Sequence, residues 1–179
     1  MERYVAFLRG MNLGNRRIKN DELRAEFETL GFEEVACFRA SGNVVFSTAD
    51  EGESSLAKRI EAGLGKGLGY EVPVFVRGAA ELRAIAAKEP FDRRLVAASK
   101  GKLQIALLAG RPAKKAVGEA SSLASDDDRL AIAERELYWL PSGGISESDL
   151  DLKRLESTLG PWTMRTKGTV EQIAAKHFA

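Results

Sequence analysis

Cysteine and histidine are nearly missing from this chain, with one of each, Cys37 and His177. A lone cysteine excludes an internal disulfide and fits a reducing compartment. One cysteine and one histidine cannot make a zinc set, and His177 lies only two residues from the last position, so no metal site and no histidine-dependent triad are expected. No apolar run approaches membrane-spanning length, and the opening residues MERYVAFLRG run straight into a strand pattern, without a leader and cleavage site. The expectation is a cytoplasmic protein without membrane association. A Walker pattern and a strand-anchored Gly-x-Gly-x-x-Gly are both missing, so no cofactor is expected. Net charge is scarce too, with 27 basic against 26 acidic side chains. That balance argues against general polyanion binding but leaves room for a local basic patch.

What is present is a regular alternation of strand and helix patterns. Tyr4 to Leu8 is apolar on both faces, as a covered central strand is. A loop from Gly10 to Lys19 follows. Asn20 is placed to cap a helix whose first turn holds Asp21 and Glu22 and whose inner face carries Leu23, Phe27 and Leu30. Glu34 to Arg39 and Val44 to Ser47 read as strands joined by a short turn, Ala40-Ser41-Gly42-Asn43. A helix starting near Ser54 buries Leu56, Ile60 and Leu64, and the glycines from Gly63 to Gly69 are expected to break it. A strand from Tyr70 to Val76 contains Pro73, which calls for an edge position or a bulge. The order is βαββαβ, a ferredoxin-like unit.

The plan then repeats. A helix over Ala80 to Lys88 is stopped by Pro90, and Phe91 to Lys100 reads as a connection or a poor helix. The run from Lys102 to Gly110 echoes Tyr4 to Gly10, an apolar strand ending in glycine and followed by a basic connection. Strands over Arg129 to Glu134 and Leu137 to Leu140 follow, then a helix with Ser148 as cap and Leu152, Leu155 and Leu159 inward. A strand from Trp162 to Thr166 comes next, and Thr169 with Gln172 forms a capping box for a last helix. The fold class expected is α+β, two ferredoxin-like halves made by duplication, with a C-terminal helix. The halves span residues 1–78 and 101–179, with a linking helix and connection over 79–100. A single larger α+β domain is the competing reading.

The polar residues suited to binding gather in the connections. Arg9, Arg16, Arg17 and Lys19 surround Gly10, Asn12, Gly14 and Asn15 with no acid among them. Glycine lets backbone N–H groups converge on an anion, so a phosphate or nucleic-acid backbone is the ligand class that fits. Against this, Asp21 and Glu22 already occupy the helix start, and a solvated basic loop is the simpler reading. Arg39, Ser41 and Asn43 flank the β-turn and join Arg9 and Asn12 in one polar pocket if the two connections meet, which would also suit an enzyme of unassigned reaction. The simpler reading is that Gly42 and Asn43 only satisfy the turn. Arg93 to Gly118 holds seven Lys or Arg and no acid. Its Arg111, Lys114 and Lys115, with Arg165 and Lys167, make a candidate basic patch, balanced by Asp126-Asp127-Asp128 if it is only a solvated surface. An RNA-recognition sheet is disfavoured, because Val44-Val45-Phe46-Ser47 lacks the glycine-and-aromatic run such a sheet carries. A third alternative is a structural or protein-interaction module pairing through an exposed strand edge.

The segments Leu8-Arg9-Gly10-Met11-Asn12-Leu13-Gly14, Ile18-Lys19, Leu30-Gly31-Phe32 and Ser41-Gly42-Asn43-Val44-Val45-Phe46 resemble the opening signature of a mainly bacterial, uncharacterised family, domain of unknown function 1697. The closing segment Met164 to Val170 is similar to that family's closing motif, with Met164 and Lys167-Gly168 departing from it. The resemblance implies two ferredoxin-like halves and no established activity, substrate or cofactor.

Overall fold

A computed structural model describes residues 1–11, 17–39, 42–49 and 51–179. The described chain forms two compact units, Met1–Ala84 with Ile173–Ala179, and Ile85–Gln172. The sequence pattern puts the divisions at residues 78 and 101.

The first unit contains β1 (Glu2–Leu8), α1 (Asn20–Thr29), β2 (Glu33–Cys37), β3 (Asn43–Thr48), α2 (Glu53–Leu68), β4 (Val74–Gly78) and most of α3 (Ala79–Ala87), whose last residues fall in the second. Its sheet has the order β2-β3-β1-β4 with every pairing antiparallel. The second contains α4 (Arg93–Ala98), β5 (Gln104–Leu108), α5 (Lys114–Ser121), β6 (Asp128–Ala133), β7 (Glu136–Pro141), a 3₁₀ turn (Ile145–Glu147), α6 (Leu152–Leu159) and β8 (Trp162–Thr166). Its sheet repeats the order as β6-β7-β5-β8. The last helix, α7 (Lys167–His177), follows β8 directly. Two βαββαβ halves and a C-terminal helix are therefore present, as the pattern predicts.

The duplication extends to single hydrogen bonds. Leu8 N–H donates to Gly42 O at 2.8 Å, and Leu108 N–H donates to Arg135 O at 2.9 Å. Arg9 N–H donates to Pro73 O, and Ala109 N–H to Pro161 O, both at 3.0 Å. Arg77 lies opposite Val5, and Arg165 opposite Ile105. Each of these arginines uses Nη1 to reach the carbonyl of the residue before it, Val76 and Met164.

One face of the first sheet buries Tyr4, Ala6, Leu8, Val44 and Phe46 against Leu23 and Phe27 of α1 and Leu56, Ile60 and Leu64 of α2. In the second unit Ala106, Leu108 and Leu137 meet Ala120, Leu155 and Leu159 in the same manner. Burying a leucine or phenylalanine of this kind contributes about 1.5–3 kcal/mol, so each face stabilises its own half.

Several local expectations change. The glycines after Leu56 do not break α2, which runs on to Leu68 and stops at Gly69 in the left-handed conformation. Gly63 sits where a β-carbon would overlap Leu30, so it serves the approach of the end of α1 to α2, and Gly67 where one would meet only the movable carboxylate of Glu26. Pro73 lies just before β4, and β4 is the edge strand that its presence requires. The free side of that edge is covered, because Glu61 accepts from Val74 N–H at 2.9 Å and Glu53 accepts from Gly78 N–H at 2.6 Å. The segment read as a connection or poor helix holds α4, capped by Asp92, which accepts from Arg94 N–H. Asp151, not Ser148, caps α6. For α7 the hydroxyl of Thr166 takes up the N–H of Thr169, so the cap stands three residues upstream of the expected one.

Candidate functional site

The first unit answers whether the two polar connections meet. β1 and β3 run antiparallel with Phe7 opposite Asn43, so the end of β1 and the start of β3 share one end of the sheet. Gly42 adopts φ +74° there, and a β-carbon on it would stand 2.9 Å from Met11 Cγ and 3.0 Å from Leu8 Cβ. The β2–β3 turn is thus packed on the residues that leave β1. The entry to α1 joins the same corner. Asn20 is its first helical residue rather than its cap, and its side-chain amide donates to Arg39 O at 3.2 Å. Ile18 packs on the core between Arg17 and Lys19, both of which are exposed.

This corner collects Arg9, Arg17, Lys19 and Arg39 from three separate segments. Arg9 is half-buried and Arg39 is exposed. Arg39 is held at φ +58°, a conformation that costs an ordinary side chain about 1–2 kcal/mol. Its guanidinium stands 5.5 Å from the ring centre of Phe38. Asn12, Asn15, Arg16 and Ser41 lie outside the described residues. Asn43 is part of the framework, being 1% exposed with its amide donating to Phe38 O at 3.0 Å. The positive end of α1 is already occupied, because the Glu22 carboxylate accepts from Lys19 N–H at 3.0 Å. An anion here would be held by cationic side chains rather than by the helix end.

The chain's C-terminal residues belong to the same unit, and spacing gave no sign of them. Lys176 Nζ stands 6.0 Å from the Phe38 ring centre, and His177 meets that ring edge-on at 6.4 Å. Arg83 of α3 fixes this segment by donating to Phe178 O at 3.2 Å. Burial lowers the His177 pKa, and the charges of Lys176 and Arg3 lower it further. Phe38 is partly exposed, whereas Tyr4, Phe7 and Phe46 are buried, so the first sheet offers no run of open aromatic faces.

The candidate patch of the second unit is divided by its environment. Lys114 and Lys115 are exposed in the first turn of α5. Arg111 pairs with Glu134 at 3.1 Å. Lys167 is 8% exposed and donates to Ala86 O and Glu171 Oε1. Arg165 bonds Thr163 Oγ1 at 2.9 Å, and burial lowers its pKa to about 10, which still leaves it charged at neutral pH.

Chemistry elsewhere is sparse. Cys37 packs on the core with Val35, and its thiol donates to Asn20 O at 3.5 Å. Burial raises its pKa, Arg24 opposes the shift and Asp21 adds to it, so it is not an activated nucleophile. Asp127, Asp128, Glu147 and Asp149 rim a cup of about 200 Å³. The Asp128 carboxylate in it is engaged, accepting from Trp139 Nε1 at 2.9 Å and the Ser148 hydroxyl at 2.7 Å. Among the described residues no group of three or more His, Cys, Asp or Glu is arranged to hold a metal ion. Among them, too, no helix is long and apolar enough to cross a membrane.

Fold and site together define a duplicated ferredoxin-like α+β protein with cationic side chains gathered at one end of its first sheet. The family model described as "Protein of unknown function (DUF1697)" matches residues 1–138, and the chain belongs to that family. No curated protein matches it. Among solved structures it is similar to the conserved bacterial protein SP0830 from Streptococcus pneumoniae, at 18% identity and a TM-score of 0.74, over 98% of this chain and 97% of that one. At that identity the likeness concerns the fold.

Proposed function

We propose that this protein is a binding module for phosphate groups, carried by a small ligand or by a nucleic-acid backbone. The contact surface is the corner where β1, the entry to α1 and the β2–β3 turn meet. The observation that supports this reading most is the convergence of Arg9, Arg17, Lys19 and Arg39 there through the Gly42–Met11 and Asn20–Arg39 contacts. Cationic side chains brought together from distant parts of a chain raise the local positive potential, which draws anions. The positive φ of Arg39 adds weight, since the turn carries a long charged side chain where glycine would be less strained.

The test is fluorescence anisotropy with a labelled oligouridine, competed by inorganic tripolyphosphate, over a range of salt. Binding that weakens with salt and is displaced by tripolyphosphate is the expected result. Displacement at matched phosphate concentration indicates recognition of phosphate groups alone, and its failure indicates the nucleic-acid backbone. The double variant Arg17→Gln, Arg39→Gln should lower affinity about ten-fold and reduce the salt slope by about two, roughly one per lost phosphate contact. Unchanged affinity and slope would refute the proposal.

A further inference from the structure

Phe38 is the centre of a second group of positive charge. Arg39 and Lys176 approach its ring at 5.5 and 6.0 Å, and His177 lies against its edge. Arg3 on β1 is close enough to lower the His177 pKa. Ring quadrupoles attract cations, which offsets part of the repulsion between Arg39 and Lys176. The acid that pairs with Arg3 is Glu34 on β2. It is engaged already, 3.3 Å from Arg3 Nη1 and accepting from the Ser47 hydroxyl at 2.7 Å. Among the described residues, His177 Nε2 and Arg3 Nε are buried and meet no hydrogen-bond partner. Buried nitrogens of this kind call for an explanation, and the charges of Lys176 and Arg3 put a protonated imidazole there at a deficit. The position of His177 at the C-terminal end of α7 favours its protonated form and makes up part of that deficit.

We propose that the end of α7 completes the anion site: Lys176 joins Arg39 in contacting a phosphodiester backbone, and His177 takes up a proton as that backbone binds. The proposal rests on the phosphate-binding reading above and extends it from the N-terminal connections to the chain's last residues. A bound phosphate lowers the positive potential around His177, so the protonated imidazole is favoured in the complex. By linkage, affinity must then rise as pH falls through the range in which free His177 is neutral. Phosphodiesters keep their charge over that range, so the ligand contributes no titration of its own.

The full chain is titrated with a short oligouridine at about pH 7.5 and about pH 6, the interval spanned by histidine. Wild type should bind about three-fold more tightly at the lower pH. His177→Gln should bind with the same affinity at both. Lys176→Gln should lose about five-fold at both pH values, the scale of one exposed charge pair, and keep the pH response. Lys176 is exposed, so its replacement leaves the fold in place. Circular dichroism checks His177→Gln, and His177→Asn serves if it is unfolded. If Arg17→Gln, Arg39→Gln weakens binding but Lys176→Gln does not, or if His177→Gln still responds to pH, this inference is overturned while the phosphate-binding reading stands. Wild type that binds no oligouridine overturns both.

Discussion

Replacing Gly42 by alanine tests the corner on which the site is built. Two costs combine there. A left-handed backbone at φ +74° disfavours an alanine by about 1–2 kcal/mol. The new methyl group would also stand 2.9 Å from Met11 Cγ, 3.0 Å from Leu8 Cβ and 3.1 Å from Leu8 O. The last of these is backbone held in the sheet and cannot turn aside, so an overpacking cost of about 1–3 kcal/mol is added. Alanine restricts the unfolded chain and returns about 0.4–1 kcal/mol. The net loss is about 2–3 kcal/mol. Gly69→Ala is the control: φ is +78°, yet nothing lies within 4 Å of the added carbon, so only about 0.5–1 kcal/mol is lost. Both tryptophans, Trp139 and Trp162, fall in the second unit, so their fluorescence would miss the change. Urea denaturation followed by hydrogen exchange in β1 and β3 reads it directly. With slopes of about 1–3 kcal/mol per M, Gly42→Ala should move the midpoint down by about 1–2 M and Gly69→Ala by about half a molar. Equal midpoints for the two variants would refute the claim that the β2–β3 turn is wedged against Leu8 and Met11.

Two further changes test other parts of the fold. Gly67→Ala should stabilise the protein by about 0.5–1 kcal/mol, because the obstacle is the movable carboxylate end of Glu26 and the helix gains a better former; a fall in thermal midpoint would contradict this. Asp128→Ala should destabilise the second unit by about 2–4 kcal/mol, since the buried Trp139 Nε1–H and the Ser148 hydroxyl both lose their acceptor. Tryptophan fluorescence during denaturation reports that loss, and an unchanged midpoint would show that neither bond matters to stability.

The architecture was legible because strand and helix periods are written in local sequence. Val5 and Phe7 alternate with Tyr4, Ala6 and Leu8, and both sets are buried. Element ends were less legible, because they depend on partners far along the chain. Gly63 and Gly67 look like breakers until Leu30 and Glu26 of α1 are seen to fill the space beside them. Asn20 looks like a cap until its amide is found on Arg39 O, 19 positions away. The same limit governed the site. A run of like charges shows which side chains are cationic, not which stay accessible. Lys167 and Arg165 read as parts of a basic surface, but the Ala86 carbonyl, Glu171 and Thr163 take them up. Lys176 and His177 reach Phe38 across the length of the chain, a proximity for which no spacing rule exists.

The duplicated half sharpens the reading of the first, because it keeps the frame and changes the charges. The bond from Leu8 to Gly42 is repeated by Leu108 and Arg135, and the one from Arg9 to Pro73 by Ala109 and Pro161. At the matching corner of the second unit, alanine therefore replaces Arg9. The hairpin there closes through Glu134 and Arg135, with Ala133 opposite Glu136, and Glu134 pairs with Arg111. Glu136 holds the place that Asn43 holds in the first half, with its carboxylate accepting from Arg135 N–H. Arg111 at that corner is thus paired with an acid of the hairpin. The backbone registers supply the scaffold in both halves, whereas the charges set on that scaffold differ between them.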